Sequence, residues 1–260
     1  MLIELFGPAA VGKTTFARAL TLRLRERGFG ARLALSYRPS ENPAATDPDN
    51  PVKRRFPALR RITRPVIESL TAAGRLPQDS QESRAATALR NLFPPHDIVM
   101  GLKLRQYLFR LSYAWYGARD AKDIVVFDQA FVQLICTLVS LNLAARPCDV
   151  DAALDAVPQP DLLVRLYAPA NILRARLTER RRRLNAIENL FELDLDTNLI
   201  SRVVADRLRD RLQDRTRLDV CIEMSDRHSL HTAADKLEAI ISGIQDRPAT
   251  RLDIDCAETA

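Results

Sequence analysis

Cysteine is scarce and scattered: Cys136, Cys148, Cys221 and Cys256 are the only four in 260 residues, and no two form a C-x-x-C pair. This spacing argues against a zinc site and against a disulfide framework, and reduced thiols fit a cytoplasmic setting. Lysine is scarce too. Only Lys13, Lys53, Lys103, Lys122 and Lys236 contribute to the 39 Lys and Arg residues, so arginine carries the net charge of +6. Guanidinium groups suit bidentate phosphate contacts, which makes acidic or phosphorylated small molecules the expected partners, with nucleic acid a secondary expectation. The longest uncharged run, Gln129 to Ala145, is interrupted by Gln133, Thr137, Ser140 and Asn142. It is short for a membrane span and reads as a buried helix, so no membrane partner is expected. The chain opens on a strand-like stretch containing Glu4 rather than a basic region and an apolar one, so no signal peptide is expected. No internal repeat is apparent. His228 and His231 form an H-x-x-H pair without a nearby acid and read as a helix start rather than a metal site.

What the sequence does contain is concentrated at its beginning. Leu2, Ile3, Leu5 and Phe6 suit a buried strand, and Phe16, Ala19, Leu20 and Leu24 recur at helical spacing. Between them lies G-x-x-x-x-G-K-T, formed by Gly7, Pro8, Ala9, Ala10, Val11, Gly12, Lys13 and Thr14. The two glycines let the backbone turn so that successive N–H groups face one anion, and the following helix adds its positive dipole end. A triphosphate, ATP in the first instance, fits such a nest. Lys13 can reach the β and γ phosphates, and the Thr14 hydroxyl is placed to ligate Mg²⁺ in preference to Thr15.

Further along, Ala31 to Tyr37 has strand character after the Gly28 and Gly30 breaks, giving a strand, helix, strand unit and hence a parallel sheet. Arg38 to Pro57 is rich in proline and polar residues and reads as a long loop. Helical stretches are expected at about 58–73, 81–93 and 98–119. The aromatic residues of the last, Tyr107, Phe109, Tyr113, Trp115 and Tyr116, read mainly as core, with one or two rings available to a ligand. Ile124 to Phe127 is a buried strand ending in Asp128, an acid on the ligand edge of such a sheet that could hold Mg²⁺ or cap the next helix. Asp161 to Tyr167 and Leu218 to Met224 are the remaining strands. Between them run an arginine-rich helix (Arg174, Arg176, Arg180 to Arg183) and an amphipathic helix over 195–218, with a last helix near 230–242. Arg176 and Arg180, four apart, share one helical face.

In this order the parts resemble the P-loop kinases of the nucleoside monophosphate kinase type, nearest the thymidylate kinase and deoxynucleoside kinase branch. The resemblance rests on Gly7 to Thr14, Arg38-Pro39 beyond strand two, Asp128 ending strand three, Pro160 to Leu166, the arginine helix from Arg174, and Phe191-Glu192. It implies a single domain over 1–246 with a three-layer α/β/α P-loop fold, whose five-stranded parallel sheet has the order 2-3-1-4-5. A helical acceptor-side insertion over about 42–119, an arginine-rich lid over about 169–192 and a loosely ordered tail over 247–260 complete the picture. It further implies Mg-assisted transfer from ATP, with lid arginines (Arg174, Arg176, Arg180) over the phosphates, Ser225 to Arg227 near the base, and a homodimer as an open option.

Two positions depart from that pattern. Gln129 stands where an arginine usually follows the strand-three acid, and Glu41 only approximates the carboxylate after strand two. No substrate signature is evident in 42–119. A phosphate acceptor needs arginine clamps but no base, which Arg38 and the cluster Lys53, Arg54, Arg55, Arg60, Arg61 and Arg64 would serve. A hydroxyl acceptor needs a carboxylate, for which Glu41 leads and Asp47 or Asp49 follow. A polynucleotide, sugar or antibiotic kinase and a regulatory P-loop ATPase stay open as alternatives.

Overall fold

The computed structural model describes residues 1–34, 77, 79–142, 144–183, 195–213, 215 and 219–245. Arg38, Glu41, the cluster from Lys53 to Arg64, the expected helix over 58–73, Phe191-Glu192 and the tail over 247–260 lie outside the described residues. In chain order the elements are β1 (Leu2–Phe6), α1 (Lys13–Glu26), β2 (Ala31–Ala34), α2 (Gln81–Leu92), α3 (Ile98–Arg119), β3 (Ile124–Phe127) and α4 (Phe131–Leu141). Then follow α5 (Pro147–Ala156), β4 (Leu162–Tyr167), α6 (Ala170–Arg183), α7 (Leu195–Leu212), β5 (Asp219–Glu223) and α8 (Arg227–Gln245).

The five strands form one parallel sheet in the order β2-β3-β1-β4-β5, as the resemblance implied. Strand residues alternate between its faces. Leu2, Phe6, Val125, Phe127 and Leu163 pack with α2, α3, α4, α5 and α7 on one side. Ile3, Leu5, Ile124, Val126, Leu162, Val164 and Leu166 pack with α1 and α8 on the other. Every residue of β1 and β3 is buried because both faces are covered. Trp115 is core, with its ring centroid 5.0 Å from Phe127 and 5.5 Å, edge-on, from Phe131.

Three elements differ from the sequence expectation, one being the helix expected over 195–218, which ends at Leu212. The uncharged run forms a shorter helix, 131–141, because its first residues complete the turn after β3. The helix α5 was not anticipated, although Val150, Ala153 and Leu154 are buried at helical spacing and Pro147 starts it. Asp151 and Asp155 of α5 pair with Arg215, and Asp151 also with Arg211, which fastens the end of α7. Among the described residues no helix is long and apolar enough to cross a membrane.

One polar residue interrupts the central strand. Glu4 lies on the same strand face as Leu2 and Phe6 and is fully buried; its Oε1 accepts a 2.9 Å hydrogen bond from the Gln133 N–H, and its Oε2 has no hydrogen-bond partner. Burial pushes its carboxyl up to about 8, against the pull of the α4 amides at Gln133, Val132, Ala130 and Phe131. A raised acid favours the folded state in its protonated form. Its contribution is therefore complete below pH ~4.5 and is lost as pH rises through ~8. Thermal melts between pH 4.5 and 8.5 should show wild-type stability falling relative to E4Q, by at most about 1.4 kcal/mol per pH unit. Parallel curves for the two proteins would contradict the buried-acid assignment.

Candidate phosphate-binding and acceptor site

The carboxyl ends of β1, β3, β4 and β5 converge where the sheet changes direction between β3, β1 and β4, and the motif residues gather there. Gly7 leaves β1 with φ +146°, and a Cβ on it would lie 2.1 Å from the Leu166 carbonyl oxygen of β4. Only glycine fits that approach. Ala10 has φ +60°, and Gly12, with φ +106°, forms the N-cap of α1 without a side-chain bond. The first turn of α1 carries no acid. Its N–H groups thus face the loop with no side chain of their own cap or first turn to answer them, the setting in which an anion is held.

Lys13 is buried and folded back over this loop, its ammonium donating to the carbonyls of Gly7 (2.8 Å) and Pro8 (2.9 Å). The Thr14 hydroxyl donates to Asp128 Oδ2 at 2.8 Å, so the loop and the end of β3 meet at two hard oxygen donors. Asp128 is fully buried, and the N-cap of α4 is Ala130, with no side-chain cap bond. Through Thr14 the Asp128 carboxylate meets the phosphate loop. Thr15 is exposed.

Three further contacts brace the loop from outside it. Gly7 N–H donates to Gln133 Oε1 at 2.9 Å, and Ala9 N–H donates to Ser201 Oγ of α7 at 3.2 Å. Arg176 spans two segments, donating to the Val11 carbonyl at 3.1 Å and to the Ser225 carbonyl at 3.0 Å. Partial burial lowers its guanidinium from the ordinary arginine value, opposed by Asp226. The structure thus joins Arg176 to the phosphate loop and to the turn after β5. Arg180, one turn further on, is partly buried, and Arg174 is exposed.

Next to Asp128, Gln129 lines a cavity of about 230 Å³ between α3 and α4. Its walls are mainly apolar, from Phe93, Pro94, Met100, Leu104, Leu134 and Leu138, with Tyr107, Thr137, His96, Asn142 and Lys103 adding polar groups. Lys103 is the charged side chain among the described lining residues, and no carboxylate is among them. A broader depression on α2, formed by Ser83, Arg84, Thr87, Ala88 and Asn91, contains none of the motif residues.

Sequence reasoning missed Gln133 and Ser201, whose partners are 126 and 192 residues away. Glu4 carried a legible signal, a single acid inside an otherwise apolar strand.

The sheet order, the glycine loop between β1 and α1, and the two helical layers define a P-loop fold of the three-layer α/β/α type. No protein-family profile matches the sequence, and no curated protein matches it. Among solved structures, a deoxyadenosine kinase from M. mycoides with its products dCMP and a flexible dCDP bound is similar to this chain. Its TM-score is 0.50 at 12% identity, over 92% of this chain and 100% of that one. The same kinase with bound dCTP gives a TM-score of 0.44 at 12% identity and the same coverage.

Substituting Gly7 tests the geometry directly. G7A should lose about 2–4 kcal/mol in urea denaturation, since the methyl group must displace a strand carbonyl and hold a positive φ. A variant as stable as wild type would mean that the loop leaves β1 by another path.

Proposed function

We propose that this chain is a kinase that transfers the γ-phosphoryl group of ATP to a small nucleoside- or nucleotide-like acceptor. The observation that carries the reading is the contact of Thr14 with Asp128, which sets the phosphate loop beside a cavity with Gln129 in its wall. A switch or motor needs the loop but no acceptor cavity one residue from its acid. The likeness to deoxyadenosine kinases supports the deoxynucleoside side of the resemblance over thymidylate kinase in particular, at the level of fold.

In this reading each group has a role. Lys13 exchanges its bonds to the Gly7 and Pro8 carbonyls for bonds to the β and γ phosphates, as a point charge that stays with the transferring group. The Thr14 hydroxyl and the Asp128 carboxylate, two hard oxygens meeting at one point, fit Mg²⁺ and are the groups that would hold it. When bound, Mg²⁺ neutralises charge on the phosphates. Arg176 and Arg180 stabilise the equatorial oxygens from α6, and Arg174 supports the nucleotide. The acceptor oxygen forms the new P–O bond while the bond to the ADP oxygen breaks. For a hydroxyl acceptor Glu41 takes the proton, and for a phosphate acceptor Arg38 clamps its oxygens; both lie outside the described residues. The described walls of the cavity, apolar with one ammonium group and no carboxylate, suit a neutral or anionic acceptor better than a cationic one such as an aminoglycoside.

Purified protein incubated with Mg-ATP and pools of nucleosides, nucleoside monophosphates, sugars and oligonucleotides should release ADP and yield one phosphorylated class by mass spectrometry. ADP release indifferent to every acceptor would refute the kinase reading. K13A should lower transfer by about 10²–10³-fold with an unchanged circular dichroism melt, and wild-type turnover would overturn the mechanism. R176A loses contacts to both the loop and the Ser225 turn, so the Kd for Mg-ATP should rise about tenfold alongside the fall in turnover. Reduced turnover with unaltered affinity would instead assign Arg176 to the transition state alone.

A further inference from the structure

The start of α4 is organised by a residue that does not belong to it. Its N-cap is Ala130, which has no side chain able to accept a hydrogen bond. An uncapped first turn in the interior would leave its N–H groups unanswered. Glu4 Oε1, from the middle of β1, accepts the Gln133 N–H at 2.9 Å. The side chain of the same Gln133 then reaches back along the sheet, and its Oε1 accepts the Gly7 N–H at 2.9 Å. Both side chains are buried, Glu4 fully and Gln133 to 6% exposure.

We propose that Glu4 and Gln133 are positioning residues that fix the phosphate loop to the wall of the acceptor cavity. Gly7 cannot be held by a side chain of its own, and the backbone of β4 prevents it from moving toward the sheet. Its N–H is anchored on the other side by Gln133. Along α4, beginning with the very next residue, Leu134, Thr137 and Leu138 line the cavity. The distance between donor loop and acceptor wall is thus set by one glutamine, whose backbone is held by one carboxyl. Replacing that pair with apolar residues of similar volume would fill the space and preserve packing, yet leave the Gly7 N–H buried without its acceptor.

This inference rests on the kinase reading for its functional meaning, but its test reads nucleotide binding and loop order rather than turnover. Gln133→Met should raise the Kd for Mg-ATP about tenfold in titration calorimetry, and the Gly7 amide should exchange faster in nucleotide-free protein, while the thermal midpoint stays within a few degrees of wild type. Glu4→Met should act in the same direction. Glu4→Gln should bind Mg-ATP within about twofold of wild type, since its amide oxygen still accepts the Gln133 N–H. A folded Gln133→Met with unchanged affinity and unchanged Gly7 exchange would overturn the proposal. So would Glu4→Gln failing as badly as Glu4→Met, because the effect would then follow the ionisable group rather than the acceptor. If Glu4→Met does not fold, Gln133→Met decides alone. Wild-type protein that binds Mg-ATP yet phosphorylates nothing would refute the kinase reading and leave this comparison standing.

Discussion

The chain turns off β1 at a point where no side chain can exist. A Cβ on Gly7 would lie 2.1 Å from the Leu166 carbonyl, so the loop begins pressed against the backbone of β4. That contact fixes the loop at the seam where the strand order reverses, and the following residues inherit their positions from it. Gly12 closes the loop in a left-handed conformation, α1 starts at Lys13, and Thr14 meets Asp128 across the seam. Parallel strands make this arrangement natural, because their carboxyl ends all open on the same edge.

The two faces of the sheet are unequal in chemistry. The strand residues facing α1 and α8 are apolar, with Ile3, Leu5, Val164 and Leu166 interleaved against Phe16, Leu20 and Leu237. Beneath α4 and α7 the core surrounds polar groups: Glu4, Gln133 and Ser201 among Phe6, Phe131, Ile135 and Val204. The polar side is the one on which the cavity lies. Arg165 of β4 extends the same logic at its margin, pairing with Asp206 of α7 and so tying the helix that carries Ser201 to the sheet. Buried polar groups cost stability unless satisfied, and here Glu4, Gln133 and Ser201 each spend a hydrogen bond on the phosphate loop or on the start of α4.

Arg176 shows how a helix can be recognised correctly and a side chain only partly. Six arginines in one helix read as a cationic face over phosphates, and Arg176 with Arg180 does form one side of α6. Yet Arg176 is engaged with the Val11 and Ser225 carbonyls, joining the phosphate loop to the turn before α8. A guanidinium has five donors, so structural bracing and ligand contact are compatible in one residue. Helical spacing states which residues share a face; it does not state what that face touches.

By itself the sequence determined the strand order's ingredients, the phosphate loop and its acid, because each is written locally. Apolar runs at β1 and β3, helical periodicity in α1, α2 and α3, and G-x-x-x-x-G-K-T depend on neighbours within a few residues. The helix α5 had the same local signal, in Val150, Ala153 and Leu154 after Pro147. What only the tertiary structure decided are contacts between residues far apart in the chain: Glu4 with Gln133, Gln133 with Gly7, Ser201 with Ala9, and a cavity shared by α3 and α4. Such pairs leave no periodicity and no spacing, since a glutamine at a helix start looks the same whether it faces water or a buried glycine. Its partner is chosen by the packing of the sheet.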